Sequence, residues 1–173
     1  MYTKQEASRL RETFWTTFGQ YMRPVLSVDG VKTNWVNYKT GIQGIRFRMD
    51  ADAKGATIAI ELTHADADTR MAYYRQLEQL THVLNETLGE TWQWQADAAD
   101  EYGKPTGRIS ITLTGINIYN NDDWPQIISF FELSQDQALR LVLTFASVLL
   151  AKNIPYTKPK SPQTLTSSAN YFL

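Results

Sequence analysis

The spacing of apolar residues predicts one helix at the beginning of the chain and another near its middle. The first begins with a capping box at residues 3–6, after which apolar side chains recur every three or four positions as far as Met22. For the second helix, Asp66 or Asp68 offers an N-cap and Gly89 a stop. Both patterns are typical of helices that bury one side against a core.

Further along the chain, the sequence predicts two consecutive helices. Asp122 and Asp123 stand just before Pro125, and proline is favoured in the first turn of a helix. A second capping box at residues 134–137 predicts that another helix begins there and continues to about residue 152. Because a helix start needs an acceptor for its free N–H groups, a capping role is favoured for these two aspartates over a catalytic carboxylate pair.

Five segments have the alternation or the turn boundaries of β-strands. They are residues 31–38, 44–50, 56–63, 91–97 and 108–118. In the second segment, three apolar residues alternate with Arg46 and Arg48. Both arginines are therefore predicted on the outer face of a half-buried strand.

The order of these elements is helix, three strands, helix, two strands and two helices, which is typical of an α+β fold. We expect a mainly antiparallel sheet of about five strands with the helices packed against it. Residues 1–152 are predicted to form a single domain. Residues 153–173 contain three prolines and many hydroxyl side chains, so they are predicted to be an extended or disordered tail.

Composition narrows the class of protein. The chain has 173 residues, no cysteine and a net charge of −1. The lack of cysteine excludes disulfides, thiolate catalysis and cysteine-bound metal. No window approaches roughly eighteen continuous apolar residues, and no signal-peptide pattern is present, so we expect a cytoplasmic protein without a membrane span.

The charge is distributed unevenly along the chain. Residues 1–48 carry +5, residues 49–136 carry −10 and residues 137–173 carry +4. An overall neutral chain is a poor non-specific binder of nucleic acid, because that affinity comes from phosphate neutralisation. A basic face built from the first and last segments stays open at this point.

Motifs for nucleotide cofactors and common catalytic centres are absent. The chain has neither GxGxxG nor GxxxxGK[ST], and it has no GxSxG elbow. Its two histidines, His64 and His82, form none of the spacings HxH, HxxxH or HExxH. We therefore predict no cofactor and no metal site.

One arrangement of acids raises a nuclease hypothesis. A helix, three strands, a helix and a further strand is the element order of the PD-(D/E)xK nuclease core, in which acids on two strands bind a metal that activates water. Asp50 or Asp52 and then Glu61 stand at matching positions, but Thr63 replaces the lysine. The favoured interpretation is that Glu61 is an outward-facing strand residue and the two aspartates are turn acids, so any such core is degenerate.

The chain also resembles a known family. The motifs that carry the resemblance are FWTTFG at 14–19, GIQGIRF at 41–47, Tyr73-Tyr74, Trp92-Gln93-Trp94, the strand from Arg108, Asp123-Trp124-Pro125 and Phe130-Phe131. They resemble an uncharacterised bacterial domain-of-unknown-function family over residues 1–150. Its members occur alone or appended to restriction-endonuclease-like proteins. The resemblance implies a role near DNA, in restriction or defence, and it implies no catalytic residue.

Three functions follow as hypotheses. The favoured one is a non-catalytic binding or accessory module, with a protein or DNA as partner. Its candidate surface residues are Trp35, Tyr38, Arg46, Arg48, Trp92, Trp94 and Trp124. The alternatives are a metal-dependent nuclease using Asp50, Asp52 and Glu61, and a nucleic-acid-binding face around Arg46 and Arg48. The sequence assigns no ligand and no oligomeric state.

Overall fold

The computed structural model describes residues 2–27, 30–88 and 92–152, and for residues 82–88 and 150 it describes the backbone alone. The elements of this part of the chain are α1 (Lys4–Met22), β1 (Ile45–Ala51), β2 (Gly55–Leu62), α2 (Ala67–Leu88), β3 (Gln93–Ala99), β4 (Pro105–Thr114), a 3-10 turn (Asn121–Asp123) and α3 (Trp124–Ala151). The strands form one sheet in the order β1-β2-β4-β3, and every neighbouring pair is antiparallel. The α+β class is confirmed, with four strands where about five were predicted.

Local sequence explains where the first two helices begin. At α1, the Thr3 hydroxyl accepts from Glu6 N at 3.2 Å, and a Glu6 carboxylate oxygen accepts from Thr3 N at 2.7 Å, so the predicted capping box forms. At α2, Asp66 Oδ2 accepts from Thr69 N at 2.7 Å. The hydroxyl and the backbone of Thr69 hold the pKa of Asp66 below its usual value. Gly89, the predicted stop of α2, lies outside the described residues.

The helices bury one face of the sheet. Helices α2 and α3 contact both central strands, β2 and β4. The strand side chains on this face are almost all apolar, and five of them have no exposed surface: Ala56, Ile58, Ile60, Leu62 and Ile109. The α1 helix joins this core through Phe14 and Phe18, whose rings lie 6.4 and 5.6 Å from that of Phe131 on α3. This burial supplies the main driving force for folding.

The strand predicted at 31–38 is wrong. Its alternating rings belong to a loop that packs on the sheet through side chains, with only an isolated bridge between Leu26 and Lys32. Trp35 is 4% exposed and its Nε1 donates to Val25 O at 2.9 Å. Tyr38 stacks on Phe47 of β1, with ring centroids 5.1 Å apart. Buried rings in a loop thus gave the same pattern as a strand.

The boundary predicted at the second capping box is also wrong, because α3 is one continuous helix. Ser134 and Gln135, which that prediction placed at a helix start, are 0% and 1% exposed in its middle. Gln135 Nε2 donates to Trp35 O at 2.7 Å and so attaches the loop to the helix. Tertiary packing therefore overrides the local capping signal here.

Two further expectations concern a membrane span and the C-terminal tail. None of the helices in the described part of the chain has the length and hydropathy that a membrane crossing requires. Residues 153–173, predicted as a tail, lie outside the described residues.

Candidate functional site

The face of the sheet turned away from the helical layer is polar on every strand. One row of paired residues across the sheet consists of Arg46, Glu61, Arg108 and Gln95. Further rows on the same side contain Arg48, Asp50, Thr57, Ala59, Ser110 and Thr112, because side chains of a strand alternate between the two faces. We call the surface formed by these ten residues the open face.

A cavity of about 500 Å³ lies between the open face and the β3–β4 turn. Its charged lining residues are Arg48, Asp50, Asp52, Lys54, Asp100, Glu101 and Arg108. Hydroxyl groups of Thr57, Thr112 and Thr114 also line it. This volume lies within the range of small-molecule sites, and the lining is more polar than that of most of them.

Glu61 lies buried beneath two arginines. Only 6% of the residue is exposed, and its Oε1 accepts from Arg108 Nη2 at 2.7 Å. Arg48 Nη1 lies 4.0 Å from the same oxygen, and Arg48 Nη2 lies 3.7 Å from Glu101 Oε2. A buried carboxylate is tolerated only when it is paired, so Arg108 is the group that allows Glu61 to occupy the sheet.

Asp50 has a different partner on α1. Its Oδ1 accepts from Arg11 Nη2 and from Ala51 N, and Arg11 Nη1 also donates to Ala51 O. Burial lowers the pKa of Arg11, but the hydrogen bond and charge of Asp50 outweigh it, and the net pKa is raised. Asp50 therefore joins β1 to α1 and is held by a permanent cation.

The other acids of the lining stabilise turns. Asp52 Oδ1 accepts from Lys54 N at 2.7 Å and from Gly55 N at 3.1 Å, within the β1–β2 turn. Asp100 Oδ1 accepts from two backbone N–H groups of the β3–β4 turn, at 2.8 and 2.9 Å. Aspartates commonly hold turns in this way, so these two carboxylates have a structural explanation.

The carboxylates singled out for a nuclease centre are separated. Asp50 pairs with Thr57, whereas Glu61 pairs with Arg46, four positions along the strand or about 13 Å. Among the described side chains, no three of the metal-ligating types are close enough to hold an ion together. The element order also differs from that of the expected core, since the described residues form two strands between α1 and α2 where the core has three.

The aromatic candidates do not form one exposed surface. Trp35 and Trp92 are 4% and 8% exposed. Trp94 packs edge-on against Tyr74 of α2, and Trp124 packs edge-on against Phe14 of α1. Tyr38 is sandwiched between Trp35 and Phe47, as its ring contacts show. Of the residues proposed for binding, Arg46 and Arg48 lie together, on the open face.

The remaining polar candidates have structural contacts. The Asn120 side chain, rather than an aspartate, caps the 3-10 turn before α3. Asp123 Oδ2 accepts from Asn117 N at 2.8 Å and closes the loop that leads into the helix. His64 Nδ1 accepts from Asp66 N at 3.2 Å. The side chain of His82 lies outside the described residues.

Sequence reasoning did not identify Glu101 and Arg108 as site residues, although both line the cavity. Glu61 and Arg108 are separated by 47 positions and meet because β2 pairs with β4. A single sequence does not contain that register. The one available signal was a lone charged residue among uncharged ones in each strand.

An α+β domain with a polar, cavity-bearing sheet face is therefore the class that fold and site define. The model of the family described as "Domain of unknown function (DUF4268)" matches residues 10–148, and the chain belongs to that family. No curated protein and no solved structure matches the chain significantly. The resemblance to a domain of unknown function is confirmed at this level.

Proposed function

We propose that the chain is a non-catalytic binding or accessory module that binds its ligand or partner on the open face. The observation that carries this proposal is the cavity of about 500 Å³ in which the aspartates, and Glu61 beside it, each have their own hydrogen-bond partner. Glu61 is held by Arg108, Asp50 by Arg11, and Asp52 by its own turn. A catalytic centre needs such groups to converge on one reacting atom.

The engaged carboxylates make this face better suited to recognition than to reaction. A carboxylate oxygen that accepts a charge-assisted hydrogen bond from arginine has lost part of its capacity to bind a metal. The arginines, in contrast, each have five N–H donors in a fixed geometry, which is typical of recognition sites. Among the described residues, these donors support a role in binding rather than in proton or group transfer.

The wider role that we propose is that of an accessory to a DNA restriction or defence system in the bacterial cytoplasm. Its support is the resemblance to a family whose members are found with restriction-endonuclease-like proteins. This support comes from the association of the family and not from the geometry of a site. Within that role the domain would contact a protein partner or DNA. We also propose that residues 1–152 form one domain and that residues 153–173 form a separate tail.

A screen of ligands against a filled-cavity variant tests the binding function. Thermal shift or ligand-observed NMR would compare the full chain with Thr112→Tyr, which places a ring in the cavity, using nucleotides, polar metabolites, peptides of either charge and short DNA. A matched control is Thr16→Tyr, at an exposed position of α1. We expect ligands whose binding is lost in Thr112→Tyr and kept in Thr16→Tyr. Ligands that bind both variants equally would refute the assignment of the open face.

The same preparations test for catalysis. Plasmid DNA incubated with the protein and Mg²⁺ or Mn²⁺ should remain intact. Cleavage that purifies with the chain and disappears in Glu61→Ala would contradict the non-catalytic function and favour the nuclease alternative.

Nucleic-acid binding without cleavage is the second candidate, because Arg46 is exposed and Arg48 is 39% exposed on the same face. Five acidic residues of the cavity region oppose it. A DNA titration at increasing salt discriminates, since phosphate contacts must weaken steeply as salt rises. Affinity that falls with salt and is lost in Arg46→Gln would favour this candidate.

A further inference from the structure

The cavity contains cationic side chains with N–H donors that no described residue uses. One oxygen each of Asp50, Asp52 and Asp100 accepts from arginine or from backbone N–H groups. In the described part of the chain, the Arg48 guanidinium makes only two loose ion pairs, at 3.7 and 4.0 Å, and no hydrogen bond. The Lys54 ammonium likewise has no hydrogen bond among these residues.

Arg108 carries a second unused donor. One of its terminal nitrogens is committed to Glu61, while its Nε is buried and has no hydrogen-bond partner within the described residues. A buried donor without a partner is costly, and a site that leaves one is expected to be completed by another group. The guanidinium groups of Arg48 and Arg108 both approach the same Glu61 oxygen, within 4.0 and 2.7 Å.

We propose that the cavity binds a small, acceptor-rich ligand through an oxyanion, a carboxylate or a phosphate, held by Arg48 and Arg108 with Lys54 at the rim. This proposal rests on the proposed function and names the chemistry of its ligand. The lining has four carboxylates against three cations, so the ligand class rests on the unused N–H donors of Arg48 and Arg108 and not on a net positive charge. Because arginine matches carboxylate and phosphate oxygens in pairs, the geometry of these donors indicates a ligand with oxyanion acceptors.

The body of the ligand would extend along the threonines. Thr57 and Thr112 share one hydrogen bond between their hydroxyls, at 2.9 Å. One hydroxyl of such a pair keeps its own proton for a further acceptor. The volume of about 500 Å³ accommodates a metabolite or a mononucleotide but not a folded partner.

Glu101 is the residue that competes with the ligand. It lies on the β3–β4 turn, its side chain is 60% exposed, and its distance to Arg48 is longer than a hydrogen bond. An exposed ion pair of this kind contributes little stability. An entering oxyanion therefore replaces Glu101 as the partner of Arg48 at little cost, and removal of Glu101 should favour the ligand.

Calorimetric and NMR titrations of the full chain test this inference. The probes are inorganic phosphate, succinate and adenosine monophosphate, with adenosine, glucose and spermine as neutral and cationic counterparts. We expect oxyanion probes to bind at least tenfold more tightly than neutral ones. Comparison of phosphate with succinate then identifies which oxyanion the site prefers.

Variants that are expected to change the oxyanion affinity in opposite directions make the test specific. Arg48→Gln should weaken oxyanion binding at least tenfold, the loss of about one charge-assisted interaction. The oxyanion affinity of Arg48→Lys should lie between those of Arg48→Gln and the wild type. Glu101→Gln should tighten oxyanion binding about threefold or more. Lys104→Gln, which removes a cation of the same turn that does not line the cavity, should have no effect. Each variant is checked by its thermal unfolding midpoint, so that loss of fold is separated from loss of binding.

Several results would overturn the inference. They are equal binding of adenosine and its monophosphate, an Arg48→Gln effect no larger than that of Lys104→Gln, and weaker binding in Glu101→Gln. If the wider screen finds only neutral or cationic ligands that Thr112→Tyr excludes, the oxyanion assignment fails while the binding function stands. If no ligand in the screen depends on the open face, both fail.

Discussion

Replacing Arg108 by methionine should destabilise the protein because it leaves Glu61 buried without its partner. The change removes a 2.7 Å hydrogen bond to a carboxylate whose side chain is 7% exposed. Removing one partner of a buried ion pair costs about 3–5 kcal/mol. Arg108 is itself 31% exposed, and Arg48 remains 4.0 Å from the carboxylate. We therefore expect a loss of about 2–3 kcal/mol in the free energy of unfolding.

The second variant of this experiment removes both charges. In Glu61→Leu/Arg108→Met no charge remains in the pair, and apolar replacements of a buried ion pair are often neutral. We expect the double variant to be more stable than Arg108→Met alone, although it carries one more substitution. The matched control is Lys104→Met, an exposed turn cation whose loss should change stability by less than about 0.5 kcal/mol.

Urea unfolding followed by circular dichroism measures these differences. For a chain of this length, the expected loss in Arg108→Met corresponds to a fall of about 5–10 °C in the thermal midpoint. An Arg108→Met variant as stable as the wild type would refute the claim that Glu61 depends on this pair. A double variant at least as unstable as Arg108→Met alone would refute the electrostatic explanation and leave packing as the cause.

Three further predictions concern the core and its connections. Gly44→Ala should lower the free energy of unfolding in urea more than Gly30→Ala does. Both glycines have positive φ, but a Cβ at 44 would lie 2.7 Å from His64 Cβ, whereas one at 30 meets nothing within 4 Å. Equal losses of stability would contradict the steric argument. Ser134→Ala should be neutral or stabilising by up to about 1 kcal/mol, because its buried hydroxyl has no hydrogen-bond partner among the described residues; a clear loss would reveal a partner. Phe131→Ala should cost about 3–5 kcal/mol, since the ring is fully buried, whereas the half-buried Phe130→Ala should cost less in the same assay; the reverse order would contradict the description of the core.

The sequence predicted those features whose signals are local. Thr3 and Glu6 lie three residues apart and form their capping box whatever the rest of the chain does. The alternation around Arg46 and Arg48 likewise predicted a strand with both arginines on its outer face, because a strand has a fixed period. Fold class followed from the order of such elements.

Signals that depend on packing misled the prediction. Trp35 and Tyr38 alternate with polar residues in a loop, because their rings bury against the sheet from outside it. The capping box at residues 134–137 lies inside α3, because Ser134 and Gln135 face a neighbouring loop rather than solvent. In both cases contacts distant in sequence decide the conformation.

The candidate site depended on register, which a single sequence does not contain. Glu61 and Arg46 were both noticed, but Arg108 joins them only because β4 pairs with β2, although α2 and β3 lie between these strands in sequence. The cavity likewise depends on how the β3–β4 turn lies over the open face. Acids that looked like candidates for metal binding are therefore ion-pair and turn residues in the fold.

Chemical-shift mapping of the first ligand that the screen finds is the most direct test of the central claim. A ¹⁵N-labelled sample would be titrated with that ligand, and the shifted amides placed on the structure. Recognition on the open face predicts that the largest shifts lie in β1, β2 and β4 and in the turn that carries Glu101, and that they vanish in Thr112→Tyr. Shifts concentrated on the helical layer, and unchanged in that variant, would contradict it.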